Sequence, residues 1–402
     1  MEIENKTSSG IQNEVVQKTV YPILFAVAIA HLFNDLLQAV IPAAYPILKE
    51  NYNLSFTQIG LITLSYQLAA SILQPIVGLY TDKHPKPFSQ MYGMLFTLAG
   101  IITLAYATSF NIVLVAVVLV GIGSSIFHPE SSRISFLASG GKRGLAQSIF
   151  QLGGNAGTAI GPLLVAFIVV PRSQHHIVWF AIIAIMALFV LYRIAFWYQN
   201  HLILKAKKKS DIVLPDLTKS QVLISVLLLL VIIFSKFFYT ASISSYYTFY
   251  LMDKFHLSIQ DAQFHLFWYL AASAVGTLLG GPLGDKFGRK YVIWFSVLGA
   301  APFTLMLPFA DLFWTGILSV VIGMIISSAF PAILVYAQEL LPKKLGMVSG
   351  LFYGFAFGMG GLGSALLGNL ADKTSITYIY QLCAYLPLIG IVALFLPNLK
   401  KK

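Results

Sequence analysis

Charge is what this 402-residue chain has little of: 10% of its residues are Asp, Glu, Lys or Arg, 57% are hydrophobic, and mean hydropathy is +0.79. Soluble domains carry about 25% charged residues, so a water-soluble globular protein is excluded. Cysteine is reduced to Cys383, which removes a disulfide framework and any multi-cysteine metal or iron–sulfur site. A GxxxxGK[ST] loop is missing, and with it the phosphate cradle that ATP-driven pumping needs. Residues 1–19 carry Glu2, Glu4, Lys6, Glu14 and Lys18 without an apolar stretch, so no cleavable signal peptide is expected.

What fills the chain instead is apolar runs of membrane-spanning length. They are bounded by charge or turn residues at 20–48, 56–80, 88–108, 111–137, 143–170 and 175–198, then at 221–252, 261–283, 290–309, 312–340, 344–371 and 375–397. One membrane helix takes about 20 apolar residues, so twelve consume about 240 and leave only ends and short loops. The expectation is an all-α membrane protein with twelve transmembrane helices in two six-helix halves, 20–198 and 221–397. Tails at 1–19 and 398–402 and a polar linker at 199–220 complete it.

The net charge of +11 is topological. With the N-terminus inside, 21 of the 26 lysines and arginines fall on inner loops and tails, which puts both termini in the cytoplasm. Nucleic acid drops out as a partner. Lys205, Lys207, Lys208 and Lys209 read as a solvated positive-inside loop, with anionic lipid as the alternative.

The halves repeat each other. GLYTDK (78–83) after span 2 matches GPLGDK (281–286) after span 8, and RGL (143–145) opening span 5 matches LGM (345–347) opening span 11. Parallel six-helix repeats are a transporter architecture, with substrate near the midplane between rocking halves. GPLGDKFGRK (281–290) resembles the loop motif of the major facilitator superfamily; GLYTDKHPKP (78–87) is a degraded copy lacking the second glycine and the basic pair. Asp82, Gly281, Asp285 and Arg289 are therefore read as a latch, the glycine permitting close helix approach and the acid meeting a helix N-terminus or a basic residue.

Longer stretches, FHPESSR (127–133), GLAQSIFQLGGN (144–155), FSKFFYTASISSYYTFYLM (234–252), LVYAQELLP (334–342) and GMVSGLFYGFAFGMGGLG (346–363), are similar to a drug-efflux branch of that superfamily. The resemblance implies a bacterial inner-membrane, proton-driven exporter of a small anionic phosphonate antibiotic, working as a monomer with no cofactor beyond the proton gradient. GTAIGP (157–162) resembles the core of the superfamily's antiporter motif, with Val165 and Ala166 where its last glycine pair would stand. An arginine common in the fourth helix of such antiporters is replaced by Val117, so other residues must carry the proton.

Ionisable groups at helix centres cost about 2.5–3.5 kcal/mol on insertion scales and mark pathways. In span 1, His31 and Asp35 are four residues apart on one face, with Gln38 a further three. Low dielectric there penalises the charged carboxylate, which suits proton exchange; a neutral structural pair is the alternative. His31, Asp35 and Glu130 are the proton-coupling candidates. Candidates for lining the substrate path are Gln38, His128, Arg133, Gln151, Asn155, Lys236, Tyr239, Tyr246, Gln338 and Glu339. Lys236 is a compact cation able to bind phosphonate, or else a structural partner for Glu130 or Asp35. Glu130 and Arg133, three apart, can equally anchor a helix end.

No metal-ligand cluster is evident, since His128 and Glu130 are two apart and point to different helix faces. An enzyme is therefore not expected. The competing functions are an organic-anion or sugar uptake symporter of the same fold and, behind it, a membrane-embedded enzyme.

Overall fold

The structure, a computed structural model, describes residues 18–54, 56–169, 171–207, 217–257 and 259–399. Its spans are α1 Tyr21–Ala43, α2 Phe56–Lys83, α3 Ser89–Ala105, α4 Phe110–Ala138, α5 Arg143–Ile168 and α6 Phe180–Lys207. The second half holds α7 Lys219–Phe255, α8 Ile259–Phe287, α9 Arg289–Phe309, α10 Leu312–Leu340, α11 Leu345–Lys373 and α12 Ile376–Phe395. Among the described residues, ten of these spans meet the length and hydropathy of a membrane crossing on their own. The other two are α3, short at 17 residues, and α5.

Local chemistry sets the ends. Pro22 opens α1 in its first turn, where a missing N–H costs nothing. Thr218 and Gln221 form a reciprocal capping box on α7, the Gln221 N–H reaching Thr218 Oγ1 at 3.2 Å. Asp311 and Ser375 cap α10 and α12. Two expectations change. Span 1 stops at Ala43, just past Pro42, and a separate short helix Tyr45–Tyr52 follows, because proline withdraws a backbone donor. Helix α6 continues to Lys207, so the first part of the expected linker is helical, Lys205 and Lys207 included; Lys208 and Lys209 lie outside the described residues, as do the first 17 residues.

Large apolar side chains such as Phe25, Ile72, Phe167, Phe189, Phe295 and Phe395 face outward, as in a bundle whose solvent is lipid. The halves α1–α6 and α7–α12 meet mainly along α2 with α11 and α5 with α8. With an even number of described spans, the described chain begins at Lys18 and ends at Leu399 on the same side of the bundle, the terminal end.

The glycine-rich helices α5 and α11 are equivalent by repeat but are used differently. A Cβ on Gly153, Gly157 or Gly161 would run into α1 at Ala28, Leu32 and Leu36 or Ala39, so this row of α5 seals its own half. A Cβ on Gly346, Gly350 or Gly354 would meet α2 at Gly78, Gln74 and Ser71, across the divide between halves.

Candidate functional site

At the terminal end of the bundle, two carboxylates tie the halves together. Asp82, at the end of α2, accepts from the first backbone N–H groups of α11, Gly346 at 2.9 Å and Met347 at 2.8 Å. Asp285, at the end of α8, does the same for α5, with Gly144 and Leu145 each at 3.1 Å. Each acid thus neutralises the positive end of a helix belonging to the other half. Gly281 lets α8 approach so closely that a Cβ there would collide with the Gly144 carbonyl.

The degraded first-half motif is complete in space. In the second half, Arg289 Nη2 binds Asp285 Oδ1 at 3.0 Å, one turn along from the acid. In the first half that arginine comes from α4: Arg133 binds Asp82, its own neighbour Glu130 at 3.2 Å, the Thr81 carbonyl at 2.9 Å and the Tyr198 hydroxyl at 3.2 Å. Glu339 takes Arg143 at 2.8 Å across the divide and Arg289 at 3.2 Å.

These positions place several of the candidate residues. Glu130 pairs with Arg133 and stands apart from the His31–Asp35 pair, because residues two apart on a helix point to different faces. Arg133 pairs with Asp82 as well, and Glu339 pairs with Arg143 and Arg289. Gln338 donates to Ser132 at 3.0 Å and Ser349 at 2.9 Å, closing a buried knot with Gln147 that joins α4, α5, α10 and α11.

Nearer the membrane centre, α1 and α4 build a second cluster. His31 Nε2 stands 3.2 Å from Asp35 Oδ2, and His128 Nε2 stands 3.5 Å from Asp35 Oδ1. Asn34 and Gln38 donate to Asp35 Oδ1 at 3.0 and 3.3 Å, and Tyr66 bonds the Gln38 carbonyl oxygen. The outward ring nitrogens are fixed by main-chain acceptors. His31 Nδ1 lies 2.7 Å from the Phe150 carbonyl, and His128 Nδ1 lies 3.1 Å from the Ser124 carbonyl. A carbonyl oxygen only accepts, so each Nδ1 carries the hydrogen and each Nε2 is the one aimed at Asp35. In a neutral imidazole that Nε2 is an acceptor, facing another acceptor; a proton in the gap turns the contact into a hydrogen bond. The rings are held by packing, His31 stacked on Phe150 at 4.0 Å and His128 edge-on to Phe357 at 5.1 Å.

His128 therefore belongs with His31 and Asp35, an association invisible in sequence because α4 supplies it. The three ligand atoms lie within 4.8 Å of one another, so the described residues do contain one set able to hold a metal ion, where sequence spacing indicated none.

Lys236, deep in α7 and 6% exposed, makes no ion pair among the described residues. It partners neither Glu130 nor Asp35. Its ammonium sits over the Phe237 and Phe330 rings at 5.0 and 5.2 Å, a cation–π setting that leaves the charge available to an anion. Phe330 packs on Tyr353 at 5.1 Å, and Tyr353 on His128 at 5.3 Å, so aromatic rings connect the lysine to the histidine cluster. Tyr353 also donates to Gln151 at 2.8 Å across the halves, and Asn155 donates to Thr277 at 3.2 Å. Tyr239 is buried with its hydroxyl unbonded, whereas Tyr246 donates to the Ser364 carbonyl. Sequence reasoning passed over Tyr353, Tyr66 and Arg143. The first two read as ordinary apolar-helix aromatics; Arg143 stood in the repeat alignment, but its acid partner is on another helix.

The chain is 58% identical over 386 residues to the fosmidomycin resistance protein of Escherichia coli (strain K12), covering 96% of this chain and 95% of that protein. It is 45% identical over 402 residues to YfnC of Bacillus subtilis (strain 168), an uncharacterized MFS-type transporter, covering 98% of each. Among solved structures it resembles the transporter FucP in the outward conformation, with a TM-score of 0.74 at 15% identity over 94% of this chain and 99% of that one. The profile of the Major Facilitator Superfamily matches residues 27–258 and 228–402. This chain belongs to the Major Facilitator Superfamily of membrane transporters.

Proposed function

We propose that this transporter exports a small anionic phosphonate of the fosmidomycin kind in exchange for protons, across a bacterial inner membrane. The observation that carries the reading is the buried His31–Asp35–His128 cluster, where two imidazole nitrogens face one carboxylate and need protons between them. The substrate class is drawn from the E. coli relative named for fosmidomycin resistance and is supported by Lys236, a buried cation without a carboxylate partner among the described residues. Gln151, Asn155, Tyr239 and Tyr246 supply neutral polar groups around the path between halves.

We assign the terminal end to the cytoplasm, following the placement of lysine and arginine. The latches at Asp82 and Asp285 then close the cytoplasmic side, and this structure is the state that faces outward. Protons arriving from outside load the cluster, the latches part, the protons leave to the cytoplasm, and phosphonate enters from there to reach Lys236. Return with substrate bound, followed by release outside, completes alternating access.

The test is accumulation of labelled fosmidomycin in cells with and without the protein, before and after an uncoupler collapses the proton gradient. Expression is expected to lower accumulation, the uncoupler to restore it, and Asp35→Asn to abolish the gradient dependence. Export that survives the uncoupler would sink antiport. Expression that raises accumulation would instead favour an uptake symporter.

A further inference from the structure

The same three side chains satisfy a different chemistry. A tetrahedral zinc ion with bonds of about 2.0–2.1 Å has donor–donor edges of about 3.3–3.4 Å. His31 Nε2 stands 3.2 Å from Asp35 Oδ2 and His128 Nε2 stands 3.5 Å from Asp35 Oδ1, each imidazole facing its own carboxylate oxygen; with one donor atom from each residue all three lie within 4.8 Å of one another, and contraction onto one ion closes the set. Both imidazoles already present Nε2 inward because their Nδ1–H groups are taken by the carbonyls of Phe150 and Ser124. Main-chain carbonyls in that position orient metal-bound histidines and raise their basicity. His128 Nε2 is buried, makes no hydrogen bond and points into the set, with Asp35 Oδ1 facing it at 3.5 Å. Two imidazoles and a carboxylate suit Zn²⁺ or Co²⁺; the lack of thiolate argues against Cu(I). Asp35 is the least covered of the three, its side chain 17% exposed, which leaves the fourth position on its side.

We propose that His31, Asp35 and His128 form a three-ligand site for a divalent transition metal ion, and that the bound ion blocks transport by occupying the place of the protons. The blocking part rests on the proton-coupling reading above; the binding part stands on the donor geometry alone.

Co²⁺ is the probe, because in a tetrahedral N/O site it absorbs visibly and is displaced by Zn²⁺. Titrated into purified, chelator-treated protein, it is expected to give a tetrahedral spectrum saturating at one equivalent. His31→Gln and His128→Gln should each weaken it well over about 100-fold, since even outer partners of a metal ligand are worth about 10- to 100-fold. His176→Gln, in the loop before α6, should leave the titration unchanged, and thermal melting checks that every variant is folded. Zn²⁺ at saturating concentration should stop fosmidomycin efflux, reversed by chelator. No cobalt spectrum, or one that survives His128→Gln, overturns the site. Binding without inhibition overturns the shared-place claim and leaves the site standing. Absent binding alongside loss of gradient dependence in Asp35→Asn overturns the metal site while the proton reading survives.

Discussion

Asp82→Asn isolates the force that keeps the terminal end closed. In the wild type, both Asp82 oxygens accept from the first turn of α11, Gly346 N–H at 2.9 Å and Met347 N–H at 2.8 Å. Arg133 belongs to the same half as Asp82, so that pair persists in either state; only the two bonds to α11 are made and broken as the halves rock. Hydrogen bonds to a charged group contribute about 1.5–3 kcal/mol each. Asparagine keeps one acceptor, uncharged, and turns an NH₂ toward the second N–H. The closed state should lose about 2–3 kcal/mol, which moves the open-to-closed ratio roughly 30- to 150-fold at 1.4 kcal/mol per factor of ten. Spin labels on cysteines at Lys86 and Lys343, exposed positions flanking the divide, report the distance distribution; Cys383 is buried and is replaced by serine. The control is Asp311→Asn, which makes the same charge-removing change at a helix-capping aspartate, Asp311 Oδ1 to Trp314 N–H at 2.9 Å, but within one half. An Asp82→Asn distribution identical to wild type, or an equal shift in Asp311→Asn, would refute the reasoning that cross-half capping sets the equilibrium.

Three further outcomes follow from the same geometry. Lys236→Met should cost fosmidomycin efflux about tenfold or more by removing a charged hydrogen bond, with membrane insertion verified by protease mapping; intact efflux would remove the lysine from the substrate path. Gly350→Leu places side-chain atoms against the Gln74 backbone, which cannot yield, so overpacking of about 1–3 kcal/mol should open the α2–α11 seam in the spin-label assay while the protein stays folded. Glu339→Gln should change the same equilibrium by less than about fivefold, because Arg143 is 39% exposed at its side chain and exposed pairs contribute at most about 1 kcal/mol; a shift as large as that of Asp82→Asn would contradict the ranking of the latches.

The twelve spans were legible because a helix in lipid must satisfy its backbone internally and cover itself with apolar side chains, a pattern written in one dimension. The His31–Asp35 pair was legible for the same reason, four residues apart on one helix. His128 was visible as a polar residue at depth, yet its membership in that pair was not, since the convergence of α1 and α4 depends on packing. The latch shows the limit from the other side. GPLGDKFGRK carries its own arginine and could be read locally, whereas the first-half copy borrows Arg133 from α4 and looked degraded. The Glu130–Arg133 pair was legible from its three-residue spacing, whereas the arginines of Glu339 come from other helices.

By itself the sequence determined that this chain crosses a membrane many times, that it is built as two repeats, and which few polar residues lie within the apolar spans. Those are matters of hydropathy, periodicity and scarcity of charge. Only the tertiary structure decided which of those residues meet: a carboxylate between two histidines, two acids capping helices of the opposite half, and one lysine left with aromatic rings for company. The reason is physical. Burial in lipid can be judged residue by residue, but the partner that makes a buried charge tolerable comes from another helix, and only folding chooses it.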